Sequence, residues 1–117
     1  MACGSPGGDQ QDQWQLLFLL RTLVGRQELQ AAIDAPAFHT LSFPGSFWPH
    51  TMEPGVVVAE DRLAEATLAG LRRRGHLVRT AGPWSLGRLC AVTRDAATGR
   101  LQAAANPRGM QGYAIGR

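Results

Sequence analysis

The apolar residues of this chain change their spacing from one segment to the next, and each spacing predicts its own element. Between Gln10 and Val24, the residues Trp14, Leu16, Leu17, Phe18, Leu19, Leu20, Leu23 and Val24 fall almost all round a helical axis. That pattern predicts a helix over Gln10–Val24, ended by Gly25, which has to be covered on most sides. A second short helix follows over Glu28–Asp34, with Leu29, Ala32 and Ile33 on one face and Pro36 preventing continuation. Ala37–Ser42 is expected to be extended, and an aromatic, Pro-rich loop runs from Phe43 to His50. Thr51–Val58 reads as one or two short strands broken at Pro54. Asp61–Arg74 has the clearest amphipathic spacing, with Leu63, Thr67 and Leu71 aligned at steps of four and Gly75 as the C-cap. His76–Thr80 is a strand candidate. Arg88–Arg94 and Arg100–Ala105 flank Asp95-Ala96-Ala97-Thr98-Gly99 as a hairpin, and the Gly-rich tail from Asn106 to Arg117 is expected to be irregular.

This order is α+β, with helices, strands, a helix and a terminal hairpin. At 117 residues with few strands and a helix apolar nearly all round, the chain has the look of one layer pair awaiting the rest of a sheet. Charge adds little. The formal net charge is +3, every basic residue is Arg, and the only cluster, Arg72-Arg73-Arg74, sits where it complements a helix C-terminus. No helix-turn-helix or aromatic pattern accompanies it, so nucleic acid is not expected as a partner. The two cysteines, Cys3 and Cys90, lack both a disulfide framework and metal spacing, and Cys90 reads as a small buried hydrophobe. No metal or cofactor is expected. Neither a signal peptide nor a membrane span is visible, Leu16–Leu20 being the longest apolar run, so the expectation is a soluble, cytoplasmic chain.

The candidate chemistry lies in Gly4-Ser5-Pro6-Gly7-Gly8, a turn leading into the first predicted helix. Consecutive glycines let backbone N–H groups approach a ligand closely, and the helix start adds positive potential. The segment could therefore cradle a phosphate, stabilise an oxyanion, or serve only as a tight turn. Its spacing matches neither the dinucleotide fingerprint nor the P-loop. Asp9, directly after the turn, is either the N-cap of the helix or a substrate contact.

Gly4-Ser5-Pro6-Gly7-Gly8, the apolar helix, Leu29 to His39 and Met52-Glu53-Pro54-Gly55 follow one another along the chain. So do Leu71 to Val78, Arg94 to Leu101 and Ala104-Ala105-Asn106-Pro107-Arg108-Gly109. In order and spacing this series resembles the C-terminal half of the small subunit of gamma-glutamyltransferases, over essentially the whole chain from Gly4 onward. The resemblance implies an N-terminal-nucleophile hydrolase fold, a four-layer αββα sandwich, incomplete here. It also implies a mechanism in which an N-terminal Thr, exposed by self-cleavage, attacks an amide carbonyl with its own α-amine as base. The acyl group then passes to water or an amine. The family's oxyanion glycines match Gly7 and Gly8.

The nucleophile has no counterpart here: Thr22, Thr40, Thr51, Thr67, Thr80, Thr93 and Thr98 match none of the family's positions. It would lie upstream, with the groups that grip the substrate. The expected partners are thus the missing N-terminal part or large subunit of the same enzyme and a small gamma-glutamyl or related amide substrate. Asp9-Gln10-Gln11-Asp12-Gln13-Trp14 resembles a divergent branch with Gly-Gly-Asp followed by Gln, and the broad superfamily also includes cephalosporin-type acylases, so the acyl group is open. Asn106 replaces a more usual Asp, keeping hydrogen-bonding shape without charge. His39 is read as a structural histidine. Phe43, Phe47 and Trp48 either cover a neighbouring layer or line a substrate entrance, and Trp84, in a glycine-bounded loop, has the same two readings. The alternative function is a non-catalytic binding or assembly module reusing half of the fold.

Overall fold

The computed structural model describes residues 1–108 and 113–115. The chain divides into two compact units, one of residues Met1–Ala35 and Gly87–Arg117, the other of Pro36–Leu86. No helix is long and apolar enough to cross a membrane among the described residues.

The first unit is a three-stranded antiparallel sheet with helices on one face. Its strands are β1 (Ala2–Gly4), β5 (Cys90–Arg94) and β6 (Leu101–Ala105), in the order β1-β5-β6. Cys3 lies opposite Ala91, and Ala91 opposite Ala104. The remaining strands, β2 to β4, belong to the second unit. A strand at β1 was not expected, since the glycines after it suggested irregular chain; pairing with β5 supplies the order that so short a segment lacks alone. The hairpin loop follows expectation. Asp95 Oδ1 accepts from the N–H groups of Ala97 and Thr98 at 2.9 and 2.7 Å, and Gly99 closes the turn at φ 73°.

Gln11–Leu19 forms α1, and helical backbone continues through one π turn, Leu20–Val24. Only Trp14 and Phe18 of this stretch are buried, whereas Leu16, Leu20, Leu23 and Val24 are exposed at 48–74%. The uncovered apolar surface is what an all-round apolar helix leaves when its covering layers are missing. Helix α2 (Leu29–Asp34) buries Ala32 and Ile33. Its Gln30 side chain donates to Ala105 O at 2.9 Å and accepts from Ala105 N at 3.3 Å, satisfying backbone groups on the outer side of β6. The C-terminal carbonyls of α2 are met by two guanidinium groups. Arg108, buried, donates to Ile33 O at 2.7 Å and Ala35 O at 3.1 Å, and Arg21 donates to Ala32 O at 3.2 Å. Asn106, also buried, donates from its backbone and its amide to Leu89 O at 3.0 and 3.1 Å. The second of these bonds requires an amide donor, which a carboxylate could not supply. Of the tail expected to be irregular, Asn106, Pro107 and Tyr113–Ile115 are so, and residues 109–112 and 116–117 lie outside the described residues.

The second unit holds β2 (Phe38–Thr40), β3 (Val56–Glu60), α3 (Glu65–Arg73) and β4 (Leu77–Ala81), with sheet order β2-β3-β4. Strand β2 is antiparallel to β3, and β3 is parallel to β4 with α3 as the crossover. Central β3 buries Val56, Val57, Ala59 and Glu60, with Val58 half-buried. The strands expected within Thr51–Val58 reduce to β3. Before it, Gly55 turns the chain at φ 79°, and the strand runs on to Glu60.

Helix α3 starts later than Asp61, and its buried residues are Leu68 and Gly70, while Thr67 is exposed. The step-of-four reading placed the inner face one residue too early, because Leu63 belongs to the preceding turn and not to the helix. At the other end the expected cap is present. Gly75 has φ 91°, its N–H donates to Arg72 O and that of His76 to Leu71 O, the paired bonds of a Schellman motif.

Candidate functional site

The glycine turn hangs from the end of β1, where Gly4 pairs with Cys90. Ser5 Oγ donates to Pro6 O at 2.7 Å and accepts from Arg88 N at 3.3 Å, fixing the approach. Gly7 then takes φ 145° and Gly8 φ 56°, both in the region that favours glycine. A 3₁₀ turn over Gly8–Gln10 joins directly to α1, closed by a bond from Gln10 N to Gly7 O at 3.3 Å. Among the described residues, no protein acceptor meets the N–H of Gly7 or of Gly8. Two unspent backbone donors at the start of a helix carry local positive potential.

The two glycines differ in their surroundings. A Cβ placed on Gly8 would meet nothing within 4 Å, whereas one on Gly7 would lie 2.2 Å from Cζ3 of Trp14. The buried indole ring therefore rests directly on Gly7. Asp9 sits inside the 3₁₀ turn as a first-turn acid and is not the N-cap: Gly7 caps that turn and Gln10 precedes α1, neither through a side chain. The extra turn displaces the helix start, and a residue already inside a helical turn cannot occupy the non-helical cap position.

Gly7, Gly8 and Asp9 thus stand together in the first unit, while Trp84 belongs to the second. Trp84 has φ 57°, a strained value for a bulky residue, and the guanidinium of Arg62 lies 3.3 Å from its ring centroid. Arg62 in turn donates to Glu60 Oε2 at 3.2 Å. Glu60 is fully buried and also accepts from Ala37 N at 3.2 Å and Leu86 N at 3.0 Å. None of Trp14, Glu60 and Arg62 was singled out from the sequence. For Glu60 a signal existed: an acidic residue closing the run Val56-Val57-Val58-Ala59 is in step with buried positions.

His39 is buried in β2, as a structural histidine should be, and burial lowers its pKa below the ordinary value of 6.5. The aromatic loop is open in this chain, with Phe47 and Trp48 exposed at 77% and 86%. Cys90 is exposed and not buried as expected, because its place in β5 points away from the helix-covered face that takes Ala91. It lines an open groove of about 410 Å³ with Ala2, Val92, Ala103, Tyr113 and Ile115. No group of His, Cys, Asp and Glu suited to a metal ion occurs among the described residues.

Comparison with known proteins sets these features in a family. The gamma-glutamyltranspeptidase family model matches residues 1–116. The chain belongs to this family. Two solved structures of LmbA2991 share 60% identity and a TM-score of 0.94, covering 99% of this gamma-glutamyltranspeptidase-family chain and 21% of their own. The cephalosporin acylase from Bacillus halodurans is 26% identical at a TM-score of 0.73, covering 91% of this chain and 18% of the acylase. The gamma-glutamyltranspeptidase from Pseudomonas nitroreducens complexed with L-DON is 19% identical at a TM-score of 0.74, covering 98% and 54%. None of the curated proteins matches. The chain spans about a fifth of the length of LmbA2991. Its mixed α/β fold is that of the N-terminal-nucleophile hydrolases, of which it forms a fraction.

Proposed function

We propose that this chain forms the oxyanion side of a gamma-glutamyltransferase-like amidohydrolase, acting as the C-terminal part of a longer polypeptide. The observation that carries the reading is the pair of unspent N–H donors at Gly7 and Gly8, in the turn that matches the family's oxyanion glycines. When a nucleophile adds to an amide carbonyl, the oxygen gains a full negative charge. Donors already aimed at that position contribute on the order of 3 kcal/mol each, mostly in the transition state. None of this chain's threonines matches the family's nucleophile, so the Thr acyl-enzyme is assigned to the preceding part of the polypeptide. The exposed apolar positions Leu16, Leu20, Leu23 and Val24 support a covering partner of that kind. The substrate is a small gamma-glutamyl amide or a related acyl amide, with water or an amine as acceptor, and Asp9 and Trp84 are the candidate substrate contacts.

The test uses the complete polypeptide with glycine-specific ¹⁵N labelling and a phosphonate analogue of the tetrahedral intermediate. The Gly7 and Gly8 amide protons should move downfield on binding as they take up a charged acceptor. Both resonances staying in place on a demonstrably occupied enzyme would remove the oxyanion assignment. Offering gamma-glutamyl and dicarboxylic-acyl anilides to the same protein separates the two acyl classes.

A further inference from the structure

We infer that Trp14 is a positioning residue for the glycine turn, an inference that rests on the oxyanion reading of Gly7 and Gly8. Trp14 lies in α1, seven residues after Gly7, and is only 8% exposed. The atoms it presents are Cζ3, Cε3 and Cη2, which would stand 2.2, 3.0 and 3.1 Å from a Cβ on Gly7. All three belong to the six-membered half of the indole. That ring occupies the space where any other residue would carry its side chain, so it forms a floor beneath the α-carbon of Gly7.

The contact constrains what the turn can do. Gly7 at φ 145° and Gly8 at φ 56° lie where glycine has broad freedom, and the backbone bonds across the turn, Gln10 N to Gly7 O at 3.3 Å and Gln11 N to Gly8 O, hold the glycine carbonyls and not their N–H groups. Glycines free to rotate would point their N–H groups over a wide cone, and electrostatic stabilisation needs donors fixed before charge develops. A planar ring held by the helix removes one side of that cone. A Cβ on Gly8 would find open space within 4 Å, so the orientation of Gly8 is inherited from Gly7 and from the helix start. The aromatic floor thus transmits the rigidity of α1 to the donors without touching the substrate.

The experiment measures kcat and KM of the complete polypeptide on its best anilide, for wild type, Trp14→Phe and Trp14→Leu. Misplacing donors by about 1 Å is expected to cost on the order of 10- to 100-fold in rate. Trp14→Leu should therefore lower kcat by about that factor with KM changed less than about 2-fold, and weaken the phosphonate analogue in proportion. Trp14→Phe keeps an aromatic face and should recover most of the loss. A cycle with Gly7→Ala adds an independent readout. The clash with the indole should disappear in the Trp14→Leu background while the backbone strain of an alanine at φ 145° stays, so the two substitutions together should cost less than the sum of their separate losses. An unchanged kcat in a folded Trp14→Leu protein, or a rise in KM alone, overturns the positioning role. Should Trp14→Leu not fold, Trp14→Met, which also lacks the aromatic face, takes its place, and an unchanged kcat and analogue affinity in that variant overturn the role. A wild type inert toward every amide offered overturns the oxyanion reading and this inference together, whereas an active wild type with an indifferent Trp14 overturns this inference alone.

Discussion

Replacing Glu60 should loosen both ends of the second unit at once. Its carboxylate accepts from Ala37 N near the start of Pro36–Leu86 and from Leu86 N at the end of it, as well as from Arg62. Hydrogen bonds to a charged group contribute about 1.5–3 kcal/mol each. Glu60→Gln keeps the shape but turns one acceptor into a donor, so one of these N–H groups loses its partner and faces another N–H. Its cost is set at about 2–4 kcal/mol. Glu60→Ala removes both acceptors and opens a void in a site that is 0% exposed, for about 3–5 kcal/mol. The Arg62 bond adds to both sums, because its guanidinium is only 23% exposed and faces a fully buried carboxylate. Hydrogen exchange in the complete polypeptide reads the effect residue by residue. The amide that loses its acceptor, Ala37 or Leu86, should exchange about 30- to 700-fold faster in Glu60→Gln, at about 1.4 kcal/mol for each tenfold, and both should speed up in Glu60→Ala. The amides of β5 and β6 serve as the internal reference. Unchanged exchange at Ala37 and Leu86 in a folded variant would refute the assignment of Glu60 as the clasp.

Gly75→Ala forces a side chain into φ 91° with no steric neighbour within 4 Å, so only backbone strain counts; a loss of about 1–2 kcal/mol should appear in denaturant melts. Burial holds the pKa of His39 below 6.5, so the unfolded chain binds the proton first. The histidine's contribution is complete above about pH 6.5 and is lost as pH falls toward the folded pKa; His39→Phe should flatten that part of a stability–pH curve. The backbone N–H of Thr98, then its side chain, then the N–H of Ala97 hold Asp95 below its ordinary value of 3.8. The loop contact is therefore present above pH 3.8 and lost as pH falls through the lower folded value. Amide shifts of Ala97 and Thr98 titrating at or above 3.8 would contradict this.

Local chemistry was legible wherever it decides the outcome alone. The hairpin, the Gly75 cap and the short α2 bounded by Pro36 need only turn residues and spacing, and all three are present. The family was legible because its motifs stand in register along the chain. Features set by partners distant in sequence were not legible. Strand β1 exists through β5, and the exposure of Cys90 depends on which face of the sheet the helices cover. Asp9 was misplaced because a 3₁₀ turn and an N-cap draw on the same residue types. At the candidate site, Gly7 and Gly8 could be named from the sequence, while the indole beneath Gly7 follows from packing that spacing alone does not encode.

The interleaving of the two units has a consequence for how the chain comes off the ribosome. Pro36–Leu86 is contiguous, so β2, β3, α3 and β4 can all be assembled before β5 has been made. Ala2 must wait for Val92, its partner in the sheet. At about 5–20 residues per second that wait lasts roughly 5–20 s. Throughout it, the N–H and C=O groups of β1 that β5 will take stand without that partner, a period in which chaperone binding or mispairing competes with folding. The glycine turn is attached to that strand. It is synthesised well before β5, the strand that gives it its place in the sheet.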